Sequence, residues 1–485
     1  MASPTPAEPA PPPPPTTHHP SPAPATPAPS PPPTTLNPAF PYRAPSIFAT
    51  MSAMAARHGA VNLGQGFPED DGPAELKRAA AEALLGTPQQ YAHPAGLPAL
   101  RAALASYEAG LAGGGEDTPP LDPDTQVLIT AGATEALAAA ILALVAPGDE
   151  AVLVDPAYDS YAPLIRAAGG TPVPLRLVVP ETESGGGGGG GGKPSSPSTW
   201  SLPPPPVLAS LFSPGRTKLL ILNTPHNPTG HVFTPAELAS LAAQVARCRQ
   251  GEEAGGSAAT RCVAICDEVY AALTLPPATH TSLASLPGMA PACLRVGSAG
   301  KTFSMTGWKV GWVTGPAGLV AAVAGAHQFL TFSVPGCLQA GVAHGLARCR
   351  AFIAGLGGDL AAKRARLAPA LAAAGFVVLP SEATYFLTAD AAALLRPGED
   401  DAAFCVRLVE EAGVAAIPLS PFYTAPASPA EAAVWADRGV DARQARPPAR
   451  LVRFCFAKRD GTLDAAAARL LAYFQGGGGA GACAV

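Results

Sequence analysis

The amino-acid sequence predicts an α/β protein with a mainly parallel sheet that carries helices on both faces. Short, wholly apolar runs alternate with Ala/Leu-rich segments of helical periodicity through the middle of the chain. Strands that are apolar at every position are typical of a parallel sheet buried on both sides. With 485 residues, the chain is also long enough for a second, smaller domain.

The predicted strands and helices alternate in a regular order. The strands are expected at residues 126–130, 150–154, 218–222, 262–266 and 294–297, and helices at residues 134–145, 161–168 and 235–248. Ligands of such sheets bind at the carboxyl ends of the strands. We therefore expect the functional side chains just after each strand.

Low-complexity stretches separate the predicted domains. Residues 1–45 hold 19 of the 58 prolines, which predicts a disordered tail. Eight consecutive glycines predict a flexible Gly/Pro-rich insertion at residues 181–206. The remaining expected parts are an N-terminal segment that joins the small domain (46–75), a large ligand-binding domain (76–325), a surface insertion (251–260), a small α+β domain (326–475) and a flexible tail (476–485).

Composition excludes several classes of partner. The net charge of −5 provides no basic field for nucleic acid or anionic lipid. Apolar stretches such as residues 136–146 are shorter than the roughly 18 residues that a membrane helix needs.

The nine cysteines form no CxxC pair, so neither a disulfide framework nor a metal site is expected. Reduced thiols and the lack of a recognisable leader favour the cytoplasm, with a plastid or mitochondrion left open.

A turn of small residues follows the strand at residues 126–130. It runs through Ala133 and Thr134 and opens a helix. Free N–H groups and the helix dipole make such a start an anion site, and small side chains allow a phosphate to approach. An ordinary strand-to-helix turn has a similar sequence.

The strand at residues 218–222 is followed by a turn with two X-Pro bonds, residues 223–230. The prolines fix its conformation, and one of these bonds could be cis. The amide of Asn227 would then be held rigidly at the sheet edge as a hydrogen-bond donor. The alternative is a purely structural turn.

Two further strand ends carry ionisable side chains. Asp267 and Tyr270 follow the strand at 262–266, and a carboxylate there needs a strong partner such as a protonated ring nitrogen. Its alternative role is to cap the next helix.

Lys301 follows the strand at 294–297, between Ser298 and Lys309, and a lysine desolvated there suits Schiff-base chemistry. The alternative is a solvated surface lysine.

Arg453 alternates with apolar residues in a late predicted strand, residues 451–456. A buried guanidinium demands a carboxylate, which its planar fork binds through two hydrogen bonds. The partner is either an internal acid or the α-carboxylate of an amino acid.

With these motifs in place, the chain resembles the class I aminotransferases of fold type I. Within them it is most similar to the branch with kynurenine aminotransferase, glutamine transaminase K and bacterial methionine aminotransferases. The resemblance runs from about Pro45 to Phe474. Its closest strings are residues 62–68, 223–230, 298–312 and 416–420.

The resemblance implies pyridoxal 5′-phosphate as cofactor and a homodimer as the assembly. Lys301 would hold the cofactor covalently, Asp267 would pair with its ring nitrogen, and Tyr270 would contact its ring hydroxyl. The implied cofactor-binding residues are Ala133, Thr134, Tyr158, Asn223, Asn227, Asp267, Tyr270, Ser298, Lys301 and Lys309, with Tyr91 of the second subunit. The implied substrate-binding residues are Gly66, Asn227 and Arg453. His226 and His231 depart from residues frequent in relatives and are expected just outside the site.

The implied reaction moves the amino group of a neutral or aromatic L-amino acid to a 2-oxo acid by a ping-pong mechanism. Methionine, glutamine, phenylalanine and kynurenine all fit, and no second arginine stands out for a dicarboxylate. One alternative is a lyase on the same scaffold, acting on cysteine S-conjugates or resembling aminocyclopropane-carboxylate synthase. Another is a non-catalytic protein that binds the cofactor.

Overall fold

The computed structural model describes residues 37, 39–40, 46–111, 120–180, 199–250, 262–440 and 448–476. Arg43–Val485 form one compact unit; of the preceding unit, Met1–Tyr42, three residues are described. Most of the predicted Pro-rich tail, the surface insertion at 251–260 and residues 477–485 lie outside the described residues. Within the described ranges, no helix is long and apolar enough to cross a membrane.

Helices and strands alternate along the described chain. The helices are α1 (Ile47–His58), α2 (Ala74–Gly86), α3 (Pro98–Leu111), α4 (Gly132–Leu144), α5 (Tyr161–Ala167), α6 (Pro205–Ser210), α7 (Pro235–Gln250), α8 (Ala299–Thr302), α9 (Ala317–Leu330), α10 (Gly336–Arg348), α11 (Arg350–Ala373), α12 (Asp401–Arg407), α13 (Pro429–Asp437) and α14 (Asp460–Gln475). The strands are β1 (Val61–Asn62), β2 (Val127–Thr130), β3 (Glu150–Asp155), β4 (Thr171–Arg176), β5 (Thr217–Asn223), β6 (Val263–Asp267), β7 (Cys293–Ser298), β8 (Gly311–Thr314), β9 (Val377–Val378), β10 (Phe386–Asp390), β11 (Val414–Ala415), β12 (Ile417–Pro418) and β13 (Leu451–Cys455).

A seven-stranded sheet in the order β2-β8-β7-β6-β5-β3-β4 forms the larger core. The strands from β3 to β7 pair in parallel, and β3 and β6 are buried at every position. The predicted α/β class with a mainly parallel sheet is confirmed. Strand β8 is the exception, because it runs antiparallel to both β2 and β7.

A second sheet of four strands, in the order β12-β13-β10-β9, is built from the C-terminal part of the chain. Its pairs are antiparallel, and Arg453 on β13 lies opposite Thr388 and Ile417. Strand β1 pairs in parallel with β11, so the N-terminal segment lies against this part of the chain. The division into two domains stays a prediction. Helix α9 runs across the expected boundary at residues 325–326 without a break.

The expected insertion at residues 181–206 is only partly described. Residues 181–198 lie outside the described ranges. The end at residue 206 is placed too late, because Ser201 pairs with Val178, Trp200 is buried, and α6 begins at Pro205. The large indole ring of Trp200 packs into the core, and that burial orders the chain here despite the surrounding prolines.

Candidate active site

A cavity of about 230 Å³ opens at the carboxyl edge of the seven-stranded sheet. Side chains from β5, β6 and β7 and the first turn of α4 meet there, as expected for a mainly parallel sheet. Its lining residues are Gly132, Ala133, Thr134, Leu137, Tyr158, Tyr161, Asn223, Asn227, Asp267, Val269, Tyr270, Ser298, Lys301, Thr306 and Lys309. Ten of the eleven residues that the sequence predicts around a cofactor are therefore together.

Lys301 enters the cavity from the short helix α8, which follows β7 directly. Its Nζ donates a hydrogen bond to the hydroxyl of Tyr385 at 2.9 Å. Burial lowers the pKa of the Lys301 amine to about 8, so a large fraction is neutral in mildly alkaline solution. The solvated surface position that the sequence left open is thereby excluded.

Asp267 is the last residue of β6, and its carboxylate is buried. Burial raises its pKa to about 6, while a hydrogen bond from Tyr161, 2.5 Å from Oδ2, acts in the opposite direction. Among the described residues, no Lys, Arg or His nitrogen lies within 4.0 Å of this carboxylate. Its role as a helix cap is minor, because the one backbone contact, from Val269 N, is 3.4 Å long. The group is left available for a cationic ligand.

The turn at residues 223–230 connects the backbone of Asp267 to Arg453. Asn223 Nδ2 donates to the carbonyl of Asp267 at 2.9 Å, and Asn223 Oδ1 accepts from Asn227 N at 2.7 Å. Asn227 Oδ1 in turn accepts from Arg453 Nη1 at 3.0 Å. Both X-Pro peptide bonds of the turn are cis. The turn therefore aligns polar groups as well as changing the chain direction.

One part of the cavity lining is shaped for an anion. Gly132 starts α4 with a φ of +77°, and Lys309 lies against it. A Cβ at Gly311 would come within 2.7 Å of the backbone N of Ala133, so only glycine permits this close approach. The first N–H groups of α4, the hydroxyl of Ser298 and the ammonium of Lys309 surround the space.

Two tyrosines complete the wall of the cavity. Tyr270 is buried, and burial raises the pKa of its phenol, which keeps the hydroxyl protonated and able to donate. Tyr158 also lines the cavity, with its ring edge-on to Tyr161 at 5.6 Å. An aromatic ring bound here would have one phenol donor and one aromatic face beside it.

Arg453 is 2% exposed and is not among the residues that line the cavity. Nη2 donates to the carbonyl of Gly64 at 3.3 Å, while Nε has no hydrogen-bond partner among the described residues. Burial lowers the pKa of the Arg453 guanidinium to about 10. A Cβ on Gly66 would come 2.9 Å from the Phe386 ring and 3.5 Å from Nη2, so a glycine allows the chain to lie this close to the guanidinium. Gly66, Asn227 and Arg453 are thus brought together as predicted.

Three residues discussed from the sequence lie away from the cavity. Tyr91 is 85% exposed and packs edge-on against Phe332, so its side chain does not enter the cavity of its own chain. His226 is buried, and burial lowers its pKa to about 3. His231 lies between Glu237 and Glu382, whose carboxylates raise its pKa despite its burial. Neither histidine lines the cavity.

Sequence reasoning missed two tyrosines that hold the ionisable groups. Tyr161 donates a hydrogen bond to Asp267. The sequence contains a signal for it, because Tyr161 is the first residue of the helix that follows strand β3. Tyr385, which binds Lys301, precedes a strand of the other sheet and is 84 positions away in sequence. No local pattern indicates that this residue reaches the site.

Pyridoxal 5′-phosphate fits these residues. The buried carboxylate of Asp267 matches a protonated ring nitrogen, the glycine-lined start of α4 matches a phosphate, and the desolvated amine of Lys301 matches an aldehyde. The bound cofactor would supply a ring that withdraws electrons from the substrate. Fold and site together define a pyridoxal-phosphate-dependent enzyme of fold type I.

Comparison with known proteins gives the family. Residues 59–470 match the sequence model described as aminotransferase class I and II, and the chain belongs to this family. It is 42% identical over 433 residues to the probable N-succinyldiaminopimelate aminotransferase DapC of Mycobacterium tuberculosis, covering 89% of this chain and 96% of that protein. It is 38% identical to the methionine aminotransferase of Escherichia coli, with 89% and 96% covered, and 34% identical to mouse kynurenine–oxoglutarate transaminase 1, with 87% and 93% covered.

The solved structure of the Mycobacterium tuberculosis N-succinyldiaminopimelate aminotransferase has the same fold. It superposes with a TM-score of 0.75 at 40% identity, and the match covers 90% of this chain and 99% of that one. The protein is thus an aminotransferase that uses pyridoxal 5′-phosphate and acts on amino acids and 2-oxo acids.

The lowered pKa of Lys301 leads to a prediction about cofactor uptake. Only the neutral amine attacks an aldehyde, so the uptake rate of cofactor-free protein should rise with pH and level off above about 8. Stopped-flow absorbance at several pH values measures this rate. The Lys301→Ala variant is the control and should lack the covalent absorbance change. A rate that stays flat between about pH 7 and 9 would contradict the prediction.

Proposed function

We propose that this enzyme moves the amino group of a neutral or aromatic L-amino acid to a 2-oxo acid, with Arg453 as the receptor for the substrate α-carboxylate. One observation carries this proposal: a buried guanidinium without a carboxylate. Among the described residues, no Asp or Glu oxygen lies within 4.0 Å of it. Asp159 raises the pKa of Arg453 less than Tyr270, Cys455 and Tyr385 do. A buried arginine that lacks an internal acid is suited to bind one from a ligand.

The surroundings of Arg453 support an uncharged substrate side chain. The rings of Phe48, Phe386 and Phe422 lie 5.4, 4.0 and 5.0 Å from its guanidinium carbon. These rings give an apolar setting in which a carboxylate binds strongly. Among the described residues that line the cavity, the cations are Lys301 and Lys309, and both are assigned to other groups. No further cation there would hold a second substrate carboxylate.

Each group of side chains in the site has a separate role in the proposed reaction. Arg453, Asn227 and Gly66 hold and orient the substrate. The amine of Lys301, with its lowered pKa, accepts the proton from Cα of the amino donor and, in the second half of the reaction, returns a proton to Cα of the former 2-oxo acid. Asp267 would hold a positive charge on the ring nitrogen of the bound cofactor, and that charge would favour removal of the Cα proton.

A panel of amino donors tests the substrate proposal. It should include methionine, glutamine, phenylalanine, kynurenine and aspartate, each with several 2-oxo acids. N-succinyldiaminopimelate belongs in the panel because a relative with 42% identity is named for it. We expect kcat/KM for the neutral and aromatic donors to exceed that for aspartate by about tenfold or more. A preference for aspartate or for N-succinyldiaminopimelate would overturn the proposal.

The same panel separates transfer from elimination. A lyase would release pyruvate and ammonia from a cysteine S-conjugate without any requirement for a 2-oxo acid. We expect amino-group transfer to dominate, with ping-pong kinetics and strict dependence on the acceptor. Product release independent of the acceptor would support the lyase instead.

We also propose that the enzyme works as a homodimer in which Tyr91 enters the partner's site. Tyr91 and Phe329 are 85% and 87% exposed, and Phe332 beside them is 41% exposed. Large aromatic surfaces left in water favour contact with another protein surface. Tyr91 makes no contact with its own cavity, so a second copy is the proposed location of its function.

Mixing two inactive variants tests this assembly. If Tyr91 acts across the subunit boundary, a heterodimer of Lys301→Ala and Tyr91→Ala chains contains one intact site and one doubly altered site. Equal mixing after unfolding and refolding should then restore about a quarter of the wild-type activity. If Tyr91 acts within its own chain, no activity returns. Homodimers of each variant serve as controls.

Cytoplasmic residence is part of the same proposal. The eight cysteines within the described ranges are all free, which supports a reducing compartment. Imaging of the full-length chain with a C-terminal fluorescent tag tests this, and accumulation in an organelle would overturn it.

A further inference from the structure

Tyr385 connects two parts of the site that are far apart in the sequence. Its hydroxyl accepts a hydrogen bond from Lys301 Nζ at 2.9 Å and donates one to the carbonyl of Gly66 at 2.9 Å. The ring is fully buried, edge-on to Tyr270 at 5.6 Å. One phenol therefore contacts both the amine that moves the proton and the segment beside Arg453.

The protonated phenol is the form that makes both contacts at once. Burial and the neighbouring Tyr270 raise the pKa of Tyr385 well above its usual value, so the hydroxyl keeps its proton. A hydroxyl has one donor and two lone pairs, which matches one donated and one accepted hydrogen bond. Tyr385 is accordingly a fixed hydrogen-bonding group at this site and does not itself exchange protons.

The backbone that carries Tyr385 is held in an unusual conformation. Thr384 has a φ of +68°, which is unfavourable for a β-branched residue. Its N–H donates to Leu273 O at 2.9 Å, and the N–H of Glu382 donates to Gly230 O at 2.8 Å. Strain that is maintained by several hydrogen bonds is characteristic of positions where a functional side chain must be placed accurately.

We propose that Tyr385 is a positioning residue that holds the Lys301 amine in the proton-transfer position and links it to the substrate-carboxylate segment at Gly66. This inference rests on the proposed role of Lys301 as the group that moves the proton. When Lys301 is released from the cofactor, its four-carbon side chain would otherwise sample many rotamers. The phenol selects one of them, so the amine is ready for each transfer.

The test variant is Tyr385→Phe, which keeps the ring and removes only the hydroxyl. The matched control is Tyr423→Phe, because the hydroxyl of Tyr423 is also buried and has no hydrogen-bond partner among the described residues. Thermal unfolding of both full-length variants establishes that they fold. The control reports the generic effect of deleting a buried phenolic oxygen.

The first measurement does not depend on catalysis. Trace labelling of the cofactor-free chain with acetic anhydride over a range of pH, followed by mass spectrometry of the Lys301 peptide, gives the pKa of this amine. The Tyr385 hydroxyl accepts a hydrogen bond from Lys301 and so favours the ammonium form of this lysine. Its loss in Tyr385→Phe should lower the pKa of Lys301 by about half a unit to one unit. The pKa in Tyr423→Phe should stay at the wild-type value. Equal values in all three proteins would overturn the proposal.

The second measurement is steady-state kinetics of the cofactor-loaded enzyme. We expect kcat of Tyr385→Phe to fall about tenfold, because the amine is misplaced, with KM changed by less than about threefold. A kcat equal to that of Tyr423→Phe would show that Tyr385 contributes only to packing and would overturn the proposal. If the wild-type enzyme itself fails to transfer amino groups, the proposed function is wrong. The labelling experiment still tests the role of Tyr385, because it measures the pKa of Lys301 without catalysis.

Discussion

Replacing Lys301 with alanine is expected to lower kcat for amino-group transfer by about 10⁴-fold. General acid–base catalysis by a positioned group is typically worth about 10² to 10⁴, and the same side chain also holds the cofactor covalently. The buried amine of Lys301 is suited to both tasks, because its pKa is lowered to about 8. Single-turnover absorbance and steady-state rates measure the loss.

Chemical rescue separates the loss of the amine from a loss of structure. A small primary amine such as methylamine should restore part of the rate of Lys301→Ala, because it occupies the space left by the side chain. Lys458→Ala is a control that removes a buried lysine outside the cavity lining. A Lys301→Ala enzyme that keeps a tenth of the wild-type rate or more, or whose cofactor absorbance is unchanged, would revive the non-catalytic alternative.

Replacing Arg453 with methionine is expected to separate function from stability. The substrate carboxylate would lose its two charge-assisted hydrogen bonds, which should lower kcat/KM by about 10²- to 10³-fold. The ligand-free protein should become more stable by about 1 to 3 kcal/mol, because the guanidinium pays for burial without an acidic partner. Donor kinetics and chemical unfolding of the cofactor-free protein measure the two effects.

Arg407→Met is the matched control for Arg453→Met. Arg407 is also buried, but its Nε and Nη2 each lie 2.7 Å from a carboxylate oxygen of Glu399. Removing it should destabilise the protein by about 2 kcal/mol or more, since the carboxylate of Glu399 is left without its partner. Activity of the folded Arg407→Met enzyme should change little. If Arg453→Met is the more destabilised of the two, Arg453 has a structural role and the carboxylate-receptor proposal is wrong.

Much of the site could be read from the sequence because it lies at strand ends. Asp267, Ser298 and Asn223 each close a buried strand, and parallel strands bring their carboxyl ends to one edge. Local patterns of apolar residues therefore located the groups, and the alternation of strands with helices placed them side by side. Lys301 and Thr134 follow from the same rule, one or a few residues further on.

Other features depend on pairings that leave little local trace. Strand β8 is not among the strands predicted from the sequence, and its antiparallel direction is set by its pairing with β2 and β7. The continuity of α9 across the expected domain boundary has the same origin, since its apolar face packs on α4. Secondary structure of this kind is fixed by burial against distant residues.

The sequence by itself determined the α/β class, the mainly parallel sheet and the ionisable groups of the site, because hydrophobic periodicity and strand-end position are local properties. Only the tertiary structure decided which partners hold those groups. Tyr161 reaches Asp267 across 106 positions, and Tyr385 reaches Lys301 across 84. Contacts at such separations exist only once distant strands and helices have paired and packed, so no pattern within a single segment encodes them.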